Sequence, residues 1–362
     1  MIDQAHYDSA TALALPPHSA RRVRSANETV AMAVVGCGYW GPNLIRNFSA
    51  APGCRVARVC DADAARLEKA RALCPGAEPT ANFEDVLADP TIDALAIATP
   101  VRTHTPLAKA ALEAGKHVLV EKPLALSSAE GEALVRLADE RGLTLMVDHT
   151  FLYSPAVNKI RELVASGELG ELYFIDSVRI NLGLFQNDVN VLWDLAPHDL
   201  SIVDYLLERE PRSLSAIGAS HTASEQEDVA YLNLDFGSGL IATFHVNWMS
   251  PTKIRHLIVG GSRKSLVYNQ LDPAEPIKVY DRGFEVQDAE SRRGALVSYR
   301  LGDIWSPHLP QTEPLSAMAQ HFLECLRSGQ TPRSDGRAGV RVVRVLEAAG
   351  RSIRAQGGRI TL

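Results

Sequence analysis

The sequence feature that most constrains the fold is an apolar run broken by a cluster of glycines. Residues 30–35 suit a buried parallel strand, and the apolar spacing of residues 44–48 is that of a helix packing on a sheet. Between them lie Gly36, Gly38 and Gly41, with the spacing G-x-G-x-x-G. In such a unit the first glycine permits a tight turn, the second lets a pyrophosphate approach the backbone, and the third allows close helix–strand packing. Because the N–H groups at the helix N-terminus then face the phosphates, the stretch predicts a dinucleotide site.

The end of the next apolar strand indicates which dinucleotide this site takes. Residues 55–60 end at Asp61, roughly 20 positions beyond the glycines, where a carboxylate accepts hydrogen bonds from the adenosine ribose hydroxyls. Because that carboxylate would repel a 2′-phosphate, we predict NAD rather than NADP. The alternative is that Asp61 is only a turn residue, and Asp63 either shares the ribose contact or caps the following helix. Tyr39 and Trp40, inside the glycine turn, complete the expected nucleotide contacts.

Composition excludes several classes of protein. A chain of 362 residues can form two domains, and 46% hydrophobic with 22% charged residues is typical of a globular protein. The net charge of -6 and the lack of an apolar run of membrane-spanning length give no support for a nucleic-acid or membrane partner. Five scattered cysteines without a CxxC pair suggest neither a zinc site nor a disulfide framework. We therefore expect reduced thiols, no metal and a cytoplasmic location.

The start of the chain differs in composition from the rest. Residues 1–29 are rich in Ala, Ser, Pro and Arg without sustained periodicity, and we expect them to form a flexible N-terminal extension. The Arg21-Arg22 pair does not indicate a twin-arginine signal, because the apolar segment that follows is the first strand of the fold.

Strands and helices alternate after the glycine turn, which predicts a doubly wound parallel sheet of about six strands over residues 30–150. Such sheets bind ligands at the carboxyl ends of their strands. The strand at residues 93–98 is followed by Thr99, Pro100 and His104. We therefore place these three side chains in the cofactor cleft, with capping of the next helix as the alternative for His104.

Another strand end carries a lysine. Residues 116–120 run directly into Glu121, Lys122 and Pro123, so Lys122 stands at the mouth of a buried strand, beside the nicotinamide end of the cleft. Partial desolvation at such a position suits a lysine to proton transfer. We predict that Lys122 is catalytic and that both Glu121 and Lys122 contact the cofactor.

The sequence pattern changes at residue 151. Strand-like runs then follow one another with few intervening helices, which predicts a second α/β domain with a large, mostly antiparallel open sheet over residues 151–362. Such a sheet offers one face to a substrate and often another to a second subunit.

A helical segment among these strands carries an acid and an imidazole. Asp194 and His198 are four positions apart, so on a helix they share one face, and the carboxylate can fix the tautomer of the imidazole. Two alternatives stay open. One is a cap-and-core pairing without catalysis, and the other is metal ligation, for which a clear third ligand is missing.

Four motifs resemble those of the Gfo/Idh/MocA oxidoreductase family: the glycine turn at residues 36–41, Thr99-Pro100 with His104, Glu121-Lys122-Pro123, and Asp194 with His198. The resemblance covers residues 30–362. It implies a Rossmann domain, an α/β domain whose open sheet usually forms a homodimer or homotetramer, and hydride transfer between a sugar or cyclitol carbon and NAD(P). It also implies that either Lys122 or His198 removes the hydroxyl proton while the other holds the developing oxygen charge. Asp194 would orient the substrate or His198.

The segment at residues 181–199 resembles family members that act on nucleotide-linked hexoses. Those members oxidise C3 to a 3-keto sugar that an aminotransferase then uses, which implies a substrate of the UDP-glucose or UDP-N-acetylglucosamine type. The substrate contacts implied in this sequence are Lys122, Arg179, Asn181, Asp194 and His198.

One departure and three alternatives accompany this resemblance. Ala196-Pro197 stands where the family usually has a glycine, which shifts the entry into the helix. The alternatives are a free-sugar or inositol dehydrogenase, a keto-sugar reductase using NADPH, and a non-catalytic NAD-binding regulator. Asp61 disfavours the reductase, and a regulator would be expected to lack Lys122 or His198, both of which are present.

Overall fold

The computed structural model describes residues 28–183, 185, 186, 188–222, 226–285 and 298–362. Nearly all of the expected N-terminal extension, including Arg21-Arg22, lies outside the described residues. The chain forms one sheet of six strands, one of nine strands and a separate two-stranded hairpin. None of the helices in the described part of the chain is both long and apolar enough to cross a membrane.

The first sheet is doubly wound and parallel, as the sequence predicts. Its strands are β1 (Val30–Val35), β2 (Cys54–Cys60), β3 (Glu78–Thr80), β4 (Ala94–Ile97), β5 (His117–Glu121) and β6 (Leu145–Asp148). Its helices are α1 (Gly41–Ala50), α2 (Ala64–Leu73), α3 (Phe83–Ala88), α4 (His104–Glu113) and α5 (Ser128–Arg141). The strand order is β3-β2-β1-β4-β5-β6. The order reverses between β1 and β4, which is where such sheets bind nucleotides.

Local hydrogen bonds fix where the helices of this half begin. Asp63 accepts hydrogen bonds from the amides of Ala65 and Arg66 and so starts α2. Helix α4 begins at His104, because a 3-10 turn at Val101–Thr103 leads directly into it.

The second sheet is mixed but mostly antiparallel. Its strands are β7 (Leu172–Leu182), β8 (Ser213–Ala219), β9 (Val229–Asp235), β10 (Ile241–Asn247), β11 (Met249–Gly261), β12 (Ser265–Asn269), β13 (Ile277–Tyr280), β16 (Ile304–Trp305) and β17 (Ile360–Thr361). The hairpin is β14 (Gly283–Glu285) with β15 (Ser298–Arg300). The strand order is β16-β13-β12-β11-β7-β10-β9-β8-β17, in which β7 and β10 pair in parallel. The short strands β13, β16 and β17 were not predicted, because they have too few alternating residues.

Among the described residues, four helices complete the second half of the chain: α6 (Pro155–Ala165), α7 (Val191–Leu207), α8 (Pro314–Ser328) and α9 (Gly336–Arg354). The last two return to the first sheet. Phe322 of α8 packs edge-on against Phe48 of α1, with ring centroids 6.2 Å apart. Arg337 of α9 forms a 2.6 Å ion pair with Asp139 of α5. This packing holds the two sheets against each other, and β5 and α7 meet in the cleft between them.

In the part of the chain that the structure describes, one face of the second sheet is covered by helices and the other is not. Phe174, Ile217, Tyr231 and Ile241 lie on the uncovered face of four adjacent strands and are between 40% and 57% exposed. Two cross-strand pairs connect them, Ile217 with Tyr231 and Ile241 with Phe174. The open sheet therefore presents an apolar surface to its surroundings.

Candidate active site

The glycine turn makes a tight connection between β1 and α1. Gly36 has a φ of +92°, and a Cβ there would lie 2.6 Å from the carbonyl oxygen of Ala98. A Cβ on Gly41 would collide with the carbonyl of Gly36. Trp40 precedes α1 without a side-chain cap bond, and the first turn of α1 contains no acidic residue. The first N–H groups of α1 therefore have no side-chain acceptor, which fits the phosphates of a dinucleotide.

The tip of the turn is open. A Cβ added at Gly38 would meet only the Arg66 side chain, 3.6 Å away. Tyr39 is 88% exposed and stacks on Trp40, with ring centroids 6.1 Å apart. The backbone at Gly38 is thus accessible to a ligand, as the glycine pattern predicts.

Asp61 links the glycine turn to the end of β2. Its carboxylate accepts hydrogen bonds from the amides of Cys37, at 2.7 Å, and Asp63, at 2.9 Å. A carboxylate has further lone pairs, so it can hold the turn and still accept from ribose hydroxyls. The ribose contact stays a prediction, whereas Asp63 caps α2, as its alternative interpretation predicts.

His104 lies beneath the loop that follows β4. Its Nδ1 is 2.8 Å from the carbonyl of Pro123, and its Nε2 is 2.8 Å from the carbonyl of Thr99. The side chain is almost fully buried, and burial lowers its pKa. His104 thus ties the Thr99-Pro100 loop to the loop after β5, and its direct contact with the cofactor stays a prediction.

Two carboxyl groups stand side by side at the ends of β5 and β6. Glu121 and Asp148 are neighbours in the strand register, and both are buried. Within the described structure, Oε1 of Glu121 and Oδ2 of Asp148 have no hydrogen-bond donor. Burial raises the pKa of Glu121 well above its usual range, and the neighbouring Asp148 raises it further. Burial of the two carboxyls side by side therefore favours the protonated form of the pair. Sequence reasoning identified Glu121 but missed Asp148.

Lys122 reaches across the cleft to the first turn of α7. The Lys122–Pro123 peptide bond is cis. Its Nζ donates to the Asp194 carbonyl at 2.7 Å and to the Asp194 carboxylate at 3.2 Å. The other carboxylate oxygen accepts from Nε1 of Trp248 at 3.0 Å. The fold thereby brings together two predicted site residues that are 72 positions apart.

His198 lies one turn beyond Asp194 on α7. The predicted hydrogen bond between these two side chains is wrong: Asp194 binds Lys122 and Trp248, and Nδ1 of His198 is buried without a partner among the described residues. The shared helix face was predicted correctly, but spacing could not reveal a lysine charge that attracts the carboxylate. Burial lowers the pKa of His198 well below its usual range, and the Lys122 charge lowers it further. The imidazole is therefore neutral at neutral pH and able to accept a proton.

Arg179 and Asn181 are two positions apart on β7 and so face the same side of the sheet. Arg179 is buried and donates to Asp199 at 2.6 and 2.8 Å and to Gln270 at 3.3 Å. Its charge is thus used within the protein. Oδ1 of Asn181 is buried and has no hydrogen-bond partner in the described part of the chain. Substrate contacts by Arg179 and Asn181 stay predictions.

Three further polar residues of this region were not predicted. Trp248 holds Asp194. Arg255 on β11 is the register partner of Arg179, and its Nε is buried without an acceptor among the described residues. His149 follows β6, and burial lowers its pKa to about 3. A charged residue at an inward-facing position of a strand is the signal that could have identified Arg255.

Among the described residues, the cysteines and acidic side chains form no second reactive or metal-binding site. All five cysteines are free, and burial raises the pKa of Cys37 in the glycine turn to about 12, which makes its thiol a poor nucleophile. Among the residues that the structure describes, no group of three or more His, Cys, Asp or Glu side chains is arranged to hold a metal ion.

Two family models match this chain. The oxidoreductase family model with an NAD-binding Rossmann fold, GFO_IDH_MocA, matches residues 30–149. The GFO/IDH/MocA C-terminal domain model matches residues 157–267. The two matches contain the glycine turn, Lys122, Asp194 and His198.

Curated relatives and solved structures agree with these models. The chain is 27% identical over 315 residues to the UDP-N-acetylglucosamine 3-dehydrogenase of Acidithiobacillus ferrooxidans, covering 86% of this chain and 93% of the relative. It is 26% identical over 327 residues to the D-apiose dehydrogenase of Paraburkholderia graminis, covering 87% and 85%. The crystal structure of GenD2 from gentamicin A biosynthesis in complex with NAD matches with a TM-score of 0.78 and 25% identity, over 96% of this chain and 99% of that one. The chain therefore belongs to the Gfo/Idh/MocA family and is an NAD-dependent oxidoreductase.

Proposed function

We propose that this protein oxidises C3 of a UDP-linked hexose, of the UDP-glucose or UDP-N-acetylglucosamine type, to a keto group. The observation that carries the proposal is the meeting of Lys122, Asp194 and a neutral His198 at the cleft between the two sheets. Similarity to a UDP-N-acetylglucosamine 3-dehydrogenase supports a nucleotide-linked hexose. The product is a 3-keto sugar, the class of compound that an aminotransferase converts to an amino sugar.

The first sheet holds the cofactor in this proposal. NAD⁺, when bound, accepts the hydride that leaves the ring carbon. The glycine turn binds its pyrophosphate, Asp61 binds its adenosine ribose, and the Thr99-Pro100 and Glu121-Lys122 loops contact the nicotinamide half. The five free cysteines fit a reducing compartment, and we place the reaction in the cytoplasm.

His198 takes the hydroxyl proton, because a base must be unprotonated and its imidazole is kept neutral by burial and by the Lys122 charge. Lys122 donates a hydrogen bond to the same oxygen as negative charge develops there. Asp194 fixes the position of the Lys122 ammonium group through its carbonyl and carboxylate. The three residues thus divide proton removal, charge stabilisation and orientation among them.

The uncovered face of the second sheet serves as the interface of a homo-oligomer. Its apolar side chains span four adjacent strands, and an apolar surface of this extent on a globular protein typically contacts another chain. Light scattering coupled to size-exclusion chromatography should give a dimer or tetramer, and Tyr231→Glu should shift it towards the monomer. A monomeric wild-type protein would refute this part of the proposal.

The substrate is tested by following NADH absorbance with UDP-, TDP- and GDP-hexoses, free sugars including D-apiose, and inositol. An aminotransferase should be coupled to the assay, since a 3-keto product can be unfavourable at equilibrium. We expect turnover with a UDP-hexose. Turnover restricted to free sugars or inositol would replace the proposal with the alternative that the D-apiose dehydrogenase relative favours. NAD binding without any turnover would leave the alternative that the protein is a non-catalytic NAD-binding regulator.

A further inference from the structure

Arg255 lies on the cleft side of the second sheet. It pairs directly with Arg179 across the antiparallel strands β11 and β7. Directly paired residues project to the same face of a sheet, so Arg255 shares its face with Arg179 and with Asn181, two positions along β7. The positive charge of Arg255 lowers the pKa of His198, although burial and the charges of Lys122 and Arg179 lower it more. Arg255 therefore lies on the same face of the sheet as Arg179, whose ion-pair partner Asp199 is on the helix that carries His198.

The charged groups around His198 do not cancel. Lys122 pairs with Asp194, and Arg179 pairs with Asp199. Both oxygens of Asp199 accept from Arg179, and the two oxygens of Asp194 accept from Lys122 and Trp248, so neither carboxylate forms a hydrogen bond or ion pair with Arg255, although both raise its pKa from a distance. In the described part of the chain, Arg255 has no ion-pair partner, and its buried Nε has no acceptor. One guanidinium is left over.

A partly buried guanidinium without a partner is unfavourable, because desolvation removes its water without supplying a counter-charge. Burial indeed lowers the pKa of Arg255. The planar guanidinium is well suited to binding the two oxygens of a carboxylate or phosphate. On the same face, Oδ1 of Asn181 is an unused acceptor, which suits a sugar hydroxyl.

We propose that Arg255 and Asn181 form a subsite for an anionic carbohydrate, in which Arg255 binds a carboxylate or phosphate carried by the sugar and Asn181 accepts from a sugar hydroxyl. This subsite rests on the proposed function, since it specifies the substrate class of the same cleft. A neutral sugar leaves Arg255 unpaired and is therefore discriminated against.

Binding to the NADH-loaded protein tests the subsite without requiring turnover. The probes are D-glucose, D-glucuronate, UDP-glucose and UDP-glucuronate, each titrated by calorimetry into wild type, Arg255→Gln and Arg255→Lys. The matched control is Arg282→Gln, which removes one exposed positive charge elsewhere in the same half of the chain. Thermal unfolding and NADH fluorescence establish that each variant is folded and loaded.

We expect at least one anionic probe to bind wild type more tightly than D-glucose. Arg255→Gln should weaken that probe about tenfold to hundredfold, the range for a lost charge-assisted hydrogen bond. Arg255→Lys should recover part of the loss, and Arg282→Gln should have no effect. A loss confined to the two glucuronates assigns the subsite to a carboxylate, whereas a loss with UDP-glucose assigns it to phosphate.

The subsite is refuted if wild type binds no anionic probe more tightly than D-glucose, or if Arg255→Gln changes neutral and anionic probes equally or neither. A misfolded Arg255→Gln variant leaves the test standing, because the wild-type preference and Arg255→Lys are measured separately. Failure of the proposed function gives a different result, namely no NADH formation with any substrate. The binding measurements do not depend on NADH formation, so the two failures are distinguishable.

Discussion

Two ion pairs flank His198 and differ in almost every physical respect. Lys122–Asp194 joins the end of β5 to α7 through one side-chain contact of 3.2 Å beside a 2.7 Å hydrogen bond to the Asp194 carbonyl, and its side chains are 18% and 22% exposed. Arg179–Asp199 joins β7 to α7 within the second half through two hydrogen bonds of 2.6 and 2.8 Å, and its side chains are 3% and 7% exposed. The first pair is open to a ligand, and the second is closed.

The difference between the pairs separates chemistry from architecture. An accessible pair between two sheets contributes little to stability and can exchange one partner for a substrate. A buried pair with two hydrogen bonds strongly destabilises the fold when one partner is removed. Two pairs that each join an aspartate to a basic residue therefore have different roles. The exposure of the side chains and the number of hydrogen bonds between them distinguish the two pairs.

The largest effect is expected at the open pair. Lys122→Met should lower kcat about 10²- to 10⁴-fold, the contribution of a positioned proton-transfer or oxyanion-stabilising group. Thermal unfolding and NADH affinity should stay near the wild-type values, because a partly exposed pair adds little stability. Steady-state kinetics and NADH fluorescence titration measure both. A kcat within tenfold of wild type would remove Lys122 from the catalytic residues.

His198→Asn tests whether the imidazole between the two pairs acts with Lys122. It should reduce kcat by a similar factor of about 10² to 10⁴ while leaving the free energy of unfolding almost unchanged. The reason is that Nδ1 of His198 has no hydrogen-bond partner among the described residues, so the loss is limited to the edge-on packing of the ring on Phe151, with ring centroids 5.0 Å apart. A large loss of stability with normal kcat would instead make His198 structural.

The closed pair should show the reverse pattern. Asp199→Asn leaves the buried Arg179 charge without its counter-charge and should reduce the free energy of unfolding by about 3–5 kcal/mol. Urea unfolding of wild type and variant measures this. The matched control, Arg179→Met with Asp199→Leu, removes both charges and should recover most of the loss. A loss below about 1 kcal/mol in Asp199→Asn would mean that the two pairs are equivalent.

Features that depend on one segment of chain were predictable from the sequence. The glycine turn, Asp61 and Lys122 each lie at a strand end that the apolar pattern marks, and Asp194 and His198 share a helix face because of their spacing. The family models confirm the fold that these features imply.

Features that depend on which strands become neighbours were not predictable. Arg255 lies in the cleft because β11 pairs with β7, and Asp148 meets Glu121 because β6 pairs with β5. Arg179 was expected at the substrate, and that contact stays a prediction, but the sequence did not reveal that Asp199 binds its guanidinium. One sequence without strand pairing cannot distinguish a charged residue that binds a ligand from one that binds the protein.

The comparison extends to the cofactor end, where the Asp61 carboxylate is paired with no buried cation among the described residues. Asp61→Asn keeps an acceptor for one of the two amides it holds but removes the charge. The ratio of NAD to NADP affinity should fall about tenfold, because the repulsion of a 2′-phosphate is lost. Fluorescence titration with NADH and NADPH measures the ratio, and Asp63→Asn at the helix cap is the control. An unchanged ratio would leave Asp61 as a turn residue only.

The last effect concerns Glu121 and Asp148, two buried carboxyls side by side, whereas the open pair combines a carboxylate with a cation. Burial raises the pKa of Glu121 in the folded state, whereas in the unfolded chain it ionises at about 4.3. The stability from protonated Glu121 is therefore complete below that pH and is lost progressively as pH rises towards the folded-state pKa. Glu121→Gln cannot ionise, so its free energy of unfolding minus that of wild type should be larger at pH 8 than at pH 4, by about 1.4 kcal/mol for each unit, up to pH 8, by which the folded-state pKa exceeds the unfolded one. Urea unfolding at the two pH values measures the difference, and a value independent of pH would mean that Glu121 is ionised in the folded protein.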